Sequence, residues 1–106
     1  MVFDKQKLLE ISEIYKRFDL ENIDTYRRSE NIIESYYKSI ITNKRKYSIT
    51  IRYDENSYHF YMYAYDKLDV GMNYNKIYFD PVIDINECIH KICKEIKKLE
   101  VKVIFT

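Results

Sequence analysis

The side chains best able to act as a nucleophile or a base are two cysteines and two histidines. Cys88 and His90 are two residues apart on a predicted helix, where such neighbours point in different directions and cannot form a dyad. His59 lies on a predicted strand opposite Arg52, and a neighbouring cation disfavours the protonated imidazolium. No carboxylate is placed to orient His59 as a base, so we expect no enzymatic activity. A site carried by loops is the alternative, because it needs no recognisable spacing.

The sequence indicates neither a metal site nor a phosphate-binding loop. Cys88 and Cys93 are about 140° apart around a helix, because each residue turns about 100°, and we expect two buried, reduced thiols. A phosphate-binding loop needs several glycines, and Gly71 is the only glycine in the chain. Four aspartates stand near predicted element ends, where capping is their expected role: Asp66, Asp69, Asp80 and Asp84. We therefore expect no cofactor and no metal ion.

The charge of the chain argues against a dedicated nucleic-acid binder. The formal net charge is +1, whereas binding to phosphates normally requires a clear basic excess. The densest basic stretch falls on one predicted helix and contains Lys91, Lys94, Lys97, Lys98 and Lys102. Glu95 and Glu100 interrupt this stretch, so we interpret it as a solvated helix face. A local nucleic-acid patch is the alternative.

Two consecutive segments with a two-residue period predict a β-hairpin. KYSITIRY (46–53) alternates apolar and polar residues, and YHFYMYAY (58–65) is aromatic at five of its eight positions. The turn cluster DENS joins them, and pairing of Tyr53 with Tyr58 would set the register. The core face of the hairpin then consists of Tyr47, Ile49, Ile51, Tyr53, Tyr58, Phe60, Met62 and Ala64. A slip of one residue would turn these apolar side chains outward, so the pattern favours this register.

The other face of this hairpin is the candidate partner-binding site. It consists of Lys46, Arg52, His59, Tyr61, Tyr63 and Tyr65, with Ser48 and Thr50 between them. Tyrosine and arginine are enriched at binding hot spots, and tyrosine suits a partly solvent-exposed surface because its ring is apolar and its hydroxyl is polar. Each polar residue on this face would need a buried partner if a helix covered it, so we expect the face to be open or partly open. A helix packed there as a third layer is the alternative.

Helices before and after these strands must support the hairpin. Periodicity predicts three helices, which begin near Asp4, Asp24 and Asp84 and end near Phe18, Thr42 and Leu99. Asp4 is the expected N-cap of the first helix, with Phe3 packing on Leu8. Asp84 and Glu87 predict a capping box at the start of the last helix.

The remaining segments complete an α+β domain. DKLDVGMNYN (66–75) has no clear period, NKIYFD (75–80) predicts a third strand with Ile77 and Phe79 inward, and VKVIF (101–105) predicts a fourth. The order α-α-β-β-β-α-β indicates a single domain over residues 1–106. We expect a mainly antiparallel four-stranded sheet with helices packed on one face. The third and fourth strands would be parallel if they share the sheet.

No residue motif identifies a known family, so size and composition guide the functional expectation. The chain has 106 residues and 12 tyrosines, and its heavy use of Ile, Lys, Asn and Tyr is typical of an AT-rich genome. Small domains of this kind include inhibitors encoded by phages and mobile elements, such as anti-CRISPR proteins. We expect a non-enzymatic protein that docks on a larger protein or nucleoprotein complex. The alternatives are a small RNA- or single-stranded-DNA-binding domain and a homodimerising accessory subunit.

The sequence gives no sign of a membrane protein. No segment approaches the ~20 apolar residues of a transmembrane helix. The N-terminal stretch MVFDKQKLLE lacks the apolar core of a signal peptide. We therefore expect a cytoplasmic protein, in the host cytoplasm if a phage encodes it, with no membrane partner.

Overall fold

In the part of the chain that the structure describes, five strands form one antiparallel sheet, with a helix before and a helix after it. Residues 3–17, 20–39, 45–67 and 72–105 are described by a computed structural model of the chain. The elements are α1 (Lys5–Lys16), β1 (Leu20–Ser29), β2 (Ile32–Ser39), β3 (Arg45–Asp54), β4 (Ser57–Lys67), β5 (Met72–Tyr78) and α2 (Ile85–Phe105). The strand order is β1-β2-β3-β4-β5, so each strand pairs with its neighbours in sequence. The predicted α+β class and antiparallel sheet are confirmed, but the described residues form five strands instead of the predicted four.

The hairpin of β3 and β4 has the predicted register. Tyr53 pairs with Tyr58, and Arg52 pairs with His59. The two central turn residues, Glu55 and Asn56, have φ angles of 51° and 62°. Positive φ at both positions is typical of a type I′ turn, whose twist matches that of the flanking strands. The turn therefore fixes which side chains of β4 point toward the core.

A better turn sequence should stabilise this hairpin. Replacing Glu55 with Asn and Asn56 with Gly should raise the free energy of unfolding by about 1 kcal/mol, because Asn and Gly adopt positive φ at lower cost than Glu. Urea denaturation of the double variant measures the change. The single variant Asn56→Ala should shift the midpoint in the opposite direction. An unchanged midpoint in the double variant would contradict the prediction.

The predicted helix from Asp24 to Thr42 is wrong. The described residues of this stretch form β1 and β2, joined by a turn at residues 30–31, while residues 40–44 lie outside the described ranges. Ile33 and Tyr37 are four residues apart, and this spacing places two side chains on the same face of a helix or of a strand. Ser35 stands between them and is also buried, so a polar residue at a core position concealed the alternation.

The predicted strand VKVIF (101–105) is also wrong, because α2 continues through it to Phe105. Its β-branched valines favoured a strand, but no glycine or proline separates them from the helix before, so nothing ends the helix there. Over the described ranges the observed order is therefore α-β-β-β-β-β-α, and each of the four strand pairs is antiparallel. Within the segment for which we predicted no regular structure, residues 66–67 belong to β4 and residues 72–74 belong to β5. Asp69 and Gly71 lie outside the described ranges.

Both helix starts have the predicted capping residues. The Asp4 carboxylate accepts a hydrogen bond of 2.8 Å from the N–H of Lys7, and the Asp84 carboxylate accepts one of 3.1 Å from the N–H of Asn86. Glu87 lies 4.0 Å from the Lys91 ammonium and does not complete the predicted capping box. These caps fix where α1 and α2 begin against the sheet.

The hydrophobic core lies between the two helices and one face of the sheet. Its most deeply buried side chains are Phe3, Tyr15, Ile33, Tyr47, Ile49, Met62, Cys88, Ile89, Ile92, Cys93 and Ile96. Apart from Phe3, which precedes α1, they come from both helices and from β2, β3 and β4, so the predicted packing of helices on one face is confirmed. The opposite side of the sheet, which we call the open face, is covered by neither helix.

Candidate partner-binding face

The open face is built from alternate residues of all five strands. Those with described side chains include Tyr26, Arg28, Ile32, Glu34, Tyr36, Lys38, Lys46, Ser48, Thr50, Arg52, His59, Tyr61, Tyr63, Tyr65, Lys76 and Tyr78. One row across the strands runs through Tyr26, Glu34, Thr50, Tyr61 and Tyr78. Tyrosines thus occur on both halves of the face, although the predicted site included only those of β4.

All six residues of the predicted site lie on the open face. Lys46 and Arg52 are exposed, whereas His59 and the three tyrosines of β4 are half-buried. Arg52 pairs with His59 and Lys46 pairs with Tyr65, as the predicted register requires. The role of these residues in binding a partner stays a prediction.

The open face is concave and encloses a volume of about 690 Å³. Five of the six predicted residues line this concavity: Arg52, His59, Tyr61, Tyr63 and Tyr65. Lys46 stands outside it on the same face. Clefts of this size hold small ligands or anchor side chains of a partner protein.

Glu34 provides a buried carboxylate in the floor of the concavity. It is 8% exposed, and it forms an ion pair with the Arg28 guanidinium and accepts a hydrogen bond from the Tyr36 hydroxyl. This hydrogen bond is the main cause that raises the pKa of Tyr36 above its ordinary value. Because its charge is already paired, Glu34 contributes little negative field to the open face.

Lys76 joins the tyrosines of β4 and β5 into one cluster. Its ammonium lies 4.6 Å from the ring centroid of Tyr61, 5.0 Å from that of Tyr63 and 4.7 Å from that of Tyr78. Hydrogen bonds to the hydroxyls of Tyr63 and Tyr78 raise the pKa of Lys76 above its ordinary value. The ammonium therefore stays charged at any physiological pH. We call these four residues the lysine–tyrosine cluster.

The rings of the open face also pack on one another. Tyr61 and Tyr63 meet edge to face with centroids 6.0 Å apart, and Tyr63 stacks on Tyr65 at an interplanar angle of 22°. Tyr61 also contacts Tyr78 at 5.9 Å. Contacts of this kind hold the rings in fixed positions before any partner binds.

Sequence reasoning missed Lys76, Tyr78, Arg28 and Glu34 as members of this site. The alternation in NKIYFD placed Tyr78 outward, and the same two-residue period would have placed Lys76 beside it. Their contacts with β4 depend on the pairing of β4 with β5, which the sequence did not reveal. Arg28 and Glu34 were missed because the segment that carries them was predicted to be a helix.

The other candidates for chemistry do not form a site. Cys88 and Cys93 are fully buried free thiols. Burial raises the pKa of Cys93 to about 12 and also raises that of Cys88, so neither provides a thiolate nucleophile. His90 is exposed on α2, and no carboxylate of the described residues hydrogen-bonds to His59. No group of metal-ligating side chains occurs among the described residues.

Comparisons of the chain with protein families, curated proteins and solved structures found no match. Within the described ranges, neither helix has the length and apolar character needed to cross a membrane.

Proposed function

We propose that this chain is a non-enzymatic binding protein that docks its open face on a larger protein or nucleoprotein complex. The observation that supports the proposal is the uncovered face itself, which combines a concavity of about 690 Å³ with tyrosines on four of its strands. Half-buried tyrosines and an exposed arginine are the residue types that dominate binding energy at protein interfaces. Their rings are already fixed by mutual contacts, so binding would cost little side-chain entropy.

Inhibition of the bound complex is the form of activity that we propose. A small domain that covers a functional surface of a larger assembly needs no catalytic group of its own. The small size of the chain and its residue usage, typical of an AT-rich genome, support an inhibitor encoded by a phage or mobile element, of the anti-CRISPR type. Its site of action would be the cytoplasm of the host.

Loss of two ring side chains from the open face should weaken docking strongly. The double variant Tyr61→Ala/Tyr63→Ala should capture at least about ten-fold less partner than the wild type, because truncation of a central aromatic anchor costs about 2 kcal/mol or more. The measurement is an affinity pull-down from the native cell or its host, quantified by mass spectrometry. Circular dichroism and thermal unfolding would verify that the variant is folded.

A matched control removes apolar surface elsewhere on the molecule. Leu9 and Ile83 are exposed by 54% and 81% and lie outside the open face. The variant Leu9→Ala/Ile83→Ala should capture the same partner as the wild type. If the folded tyrosine variant keeps full capture, the open face is not the docking surface.

Binding of single-stranded nucleic acid is the second candidate function. The feature that favours it is the presence of Lys46, Arg52 and Lys76 beside aromatic rings on an exposed sheet, which resembles a stacking platform. Its affinity would fall steeply with added salt, because phosphate binding releases counterions. Homodimerisation through the same face is the third candidate, and light scattering that shows a concentration-independent monomer would exclude it.

A further inference from the structure

The lysine–tyrosine cluster holds a cation in one place on the surface of the sheet. Lys76 pairs with Tyr63, and Tyr78 pairs with Tyr61, so the four residues are nearest neighbours across β4 and β5. The ammonium lies within 5.0 Å of three ring centroids. An exposed lysine normally loses about 2 kcal/mol of side-chain entropy when a partner immobilises it. In this protein the three rings already restrict the Lys76 side chain, so binding of a partner removes little further side-chain entropy.

The hydrogen bonds within the cluster leave donors available to an external acceptor. A lysine ammonium carries three N–H donors and no acceptor. Two of these donate to the hydroxyl oxygens of Tyr63 and Tyr78, which leaves the third. The Tyr78 hydroxyl still has its own proton to donate, and this residue is 70% exposed. An N–H and an O–H donor therefore stand side by side, an arrangement that suits a carboxylate or another oxyanion.

The charges of the surrounding face favour an anionic partner. On β3, β4 and β5 the described open-face side chains include three cations, Lys46, Arg52 and Lys76, and one carboxylate, Asp54 at the end of β3. The Asp54 carboxylate lies 3.9 Å from the Arg52 guanidinium with both side chains about half exposed, so this ion pair is weak. The half of the face next to β5 is thus a basic surface.

The other described carboxylates of the open face lie on β1 and β2. Glu34 is paired with Arg28, and Glu21 lies 3.3 Å from the Lys38 ammonium. The carboxylate of Asp24 on β1 also lies on this half and is exposed. An acidic segment of a partner would therefore be attracted to the β3–β5 half, where cations outnumber carboxylates, more than to the β1–β2 half. This asymmetry predicts where the acidic group of the partner binds.

The packing of the rings favours a protein over a nucleic acid as the source of the anion. Nucleobases bind by stacking on accessible ring faces. Tyr61 already contacts Tyr63, Tyr78 and the Lys76 ammonium, and Tyr63 is stacked on Tyr65. These rings therefore present mainly their edges and hydroxyl groups to a ligand, and little of their faces. The net charge of +1 is also low for a protein that follows a phosphate backbone.

We propose that Lys76, held by Tyr61, Tyr63 and Tyr78, is the anchor of the open face and receives a carboxylate from an acidic segment of the partner protein. This inference rests on the proposed docking function and adds the chemistry of the partner. The carboxylate would accept hydrogen bonds from the Lys76 ammonium and the Tyr78 hydroxyl. Arg52 and Lys46 would contribute longer-range attraction.

The test uses the full chain and two defined anionic probes. A polyglutamate peptide and an oligothymidine of equal charge are titrated at low salt, and binding is followed by the backbone amide resonances of β4 and β5. The peptide should shift these resonances more strongly than the oligonucleotide. Stronger binding of the oligonucleotide, or binding of neither probe, would overturn the inference.

A pair of variants then separates the anchor from general charge. Lys76→Gln and Lys46→Gln each remove one positive charge from the same face, but only Lys76 is held by the rings. Affinity for the peptide should fall about ten-fold in Lys76→Gln, which loses a charge-assisted hydrogen bond, and only about two-fold in Lys46→Gln, which loses a screened surface charge. Equal losses in the two variants would show that Lys76 is not an anchor.

The pull-down from cells, repeated with these variants, separates a failure of this inference from a failure of the proposed function. If Tyr61→Ala/Tyr63→Ala releases the partner and Lys76→Gln does not, the open face docks without the proposed anchor. If both variants retain the partner, the docking function itself is wrong. If both release it while Lys46→Gln retains it, both proposals are supported.

Discussion

Replacing Ile33 with alanine should lower the free energy of unfolding by about 3 kcal/mol, because the substitution leaves a cavity in the core. Ile33 is 2% exposed and faces the helices from β2. Urea denaturation, with the free energy extrapolated to water, measures the loss. This effect is a large part of the total stability of a domain of this size.

The adjacent isoleucine is the matched control. Ile32 lines the concavity of the open face and is only half-buried. Ile32→Ala should therefore lower the free energy of unfolding by about 1 kcal/mol or less, because it removes less buried surface than Ile33→Ala does. The loss of strand propensity is the same in both variants, since each replaces isoleucine with alanine. A helix would place Ile32 and Ile33 on one broad apolar face, so equal losses in the two variants would contradict the strand assignment of β2.

Alkaline conditions should destabilise the protein sharply. Burial raises the pKa of Tyr15 well above its ordinary value, and it raises the pKa of the Cys88 and Cys93 thiols. The folded chain keeps these three protons at a pH where the unfolded chain releases them. The free energy of unfolding is unaffected by them below about pH 9 and falls as pH rises further, by about 1.4 kcal/mol per pH unit for each group.

The three groups together should lower the free energy of unfolding by about 4 kcal/mol between about pH 10 and about pH 11. Urea denaturation at a series of pH values measures this slope. Cys93→Ala should reduce the slope by about 1.4 kcal/mol per pH unit. Ile92→Ala, a non-ionisable and equally buried neighbour, should lower the stability at every pH and keep the slope. Equal slopes for the two variants would contradict the role of the thiol.

The sequence was sufficient to predict the β3–β4 hairpin because its two faces differ clearly in polarity. Residues such as Ile49 and Met62 fall on one face, and Arg52 and Lys46 fall on the other. A shift of one residue would expose the first set, so only one register satisfies both faces. The same hairpin carries all six predicted site residues, and for that reason their common face was predictable.

The first hairpin could not be predicted in this way, because its pattern was ambiguous. Ile32 and Ile33 are adjacent, and they point to opposite faces of the strand. Ser35 occupies a core position, whereas Tyr36 stands on the open face. Apolar side chains on both faces with a polar one in the core are compatible with a helix as well as a strand. Only pairing with β3 resolves the choice.

The lysine–tyrosine cluster is harder to predict from the sequence than the first hairpin, because it exists only in the tertiary structure. Lys76 and Tyr63 are distant in sequence and meet because β5 pairs with β4. Residues 68–71 between these strands gave no turn signal that would set this register, and they lie outside the described ranges. A lysine in a polar strand has no feature that marks it as the centre of an aromatic group. The candidate anchor therefore required the structure.

The strand order has a consequence for the way the chain folds. Because each strand pairs with its neighbours in sequence, the sheet can form by joining successive hairpins, each of which closes a short loop at low entropic cost. The helices come from opposite ends of the chain and meet on the same side of the sheet. Their docking is thus the step that brings the most distant residues together. We expect the sheet to form from local contacts, and the two ends of the chain to complete the core last.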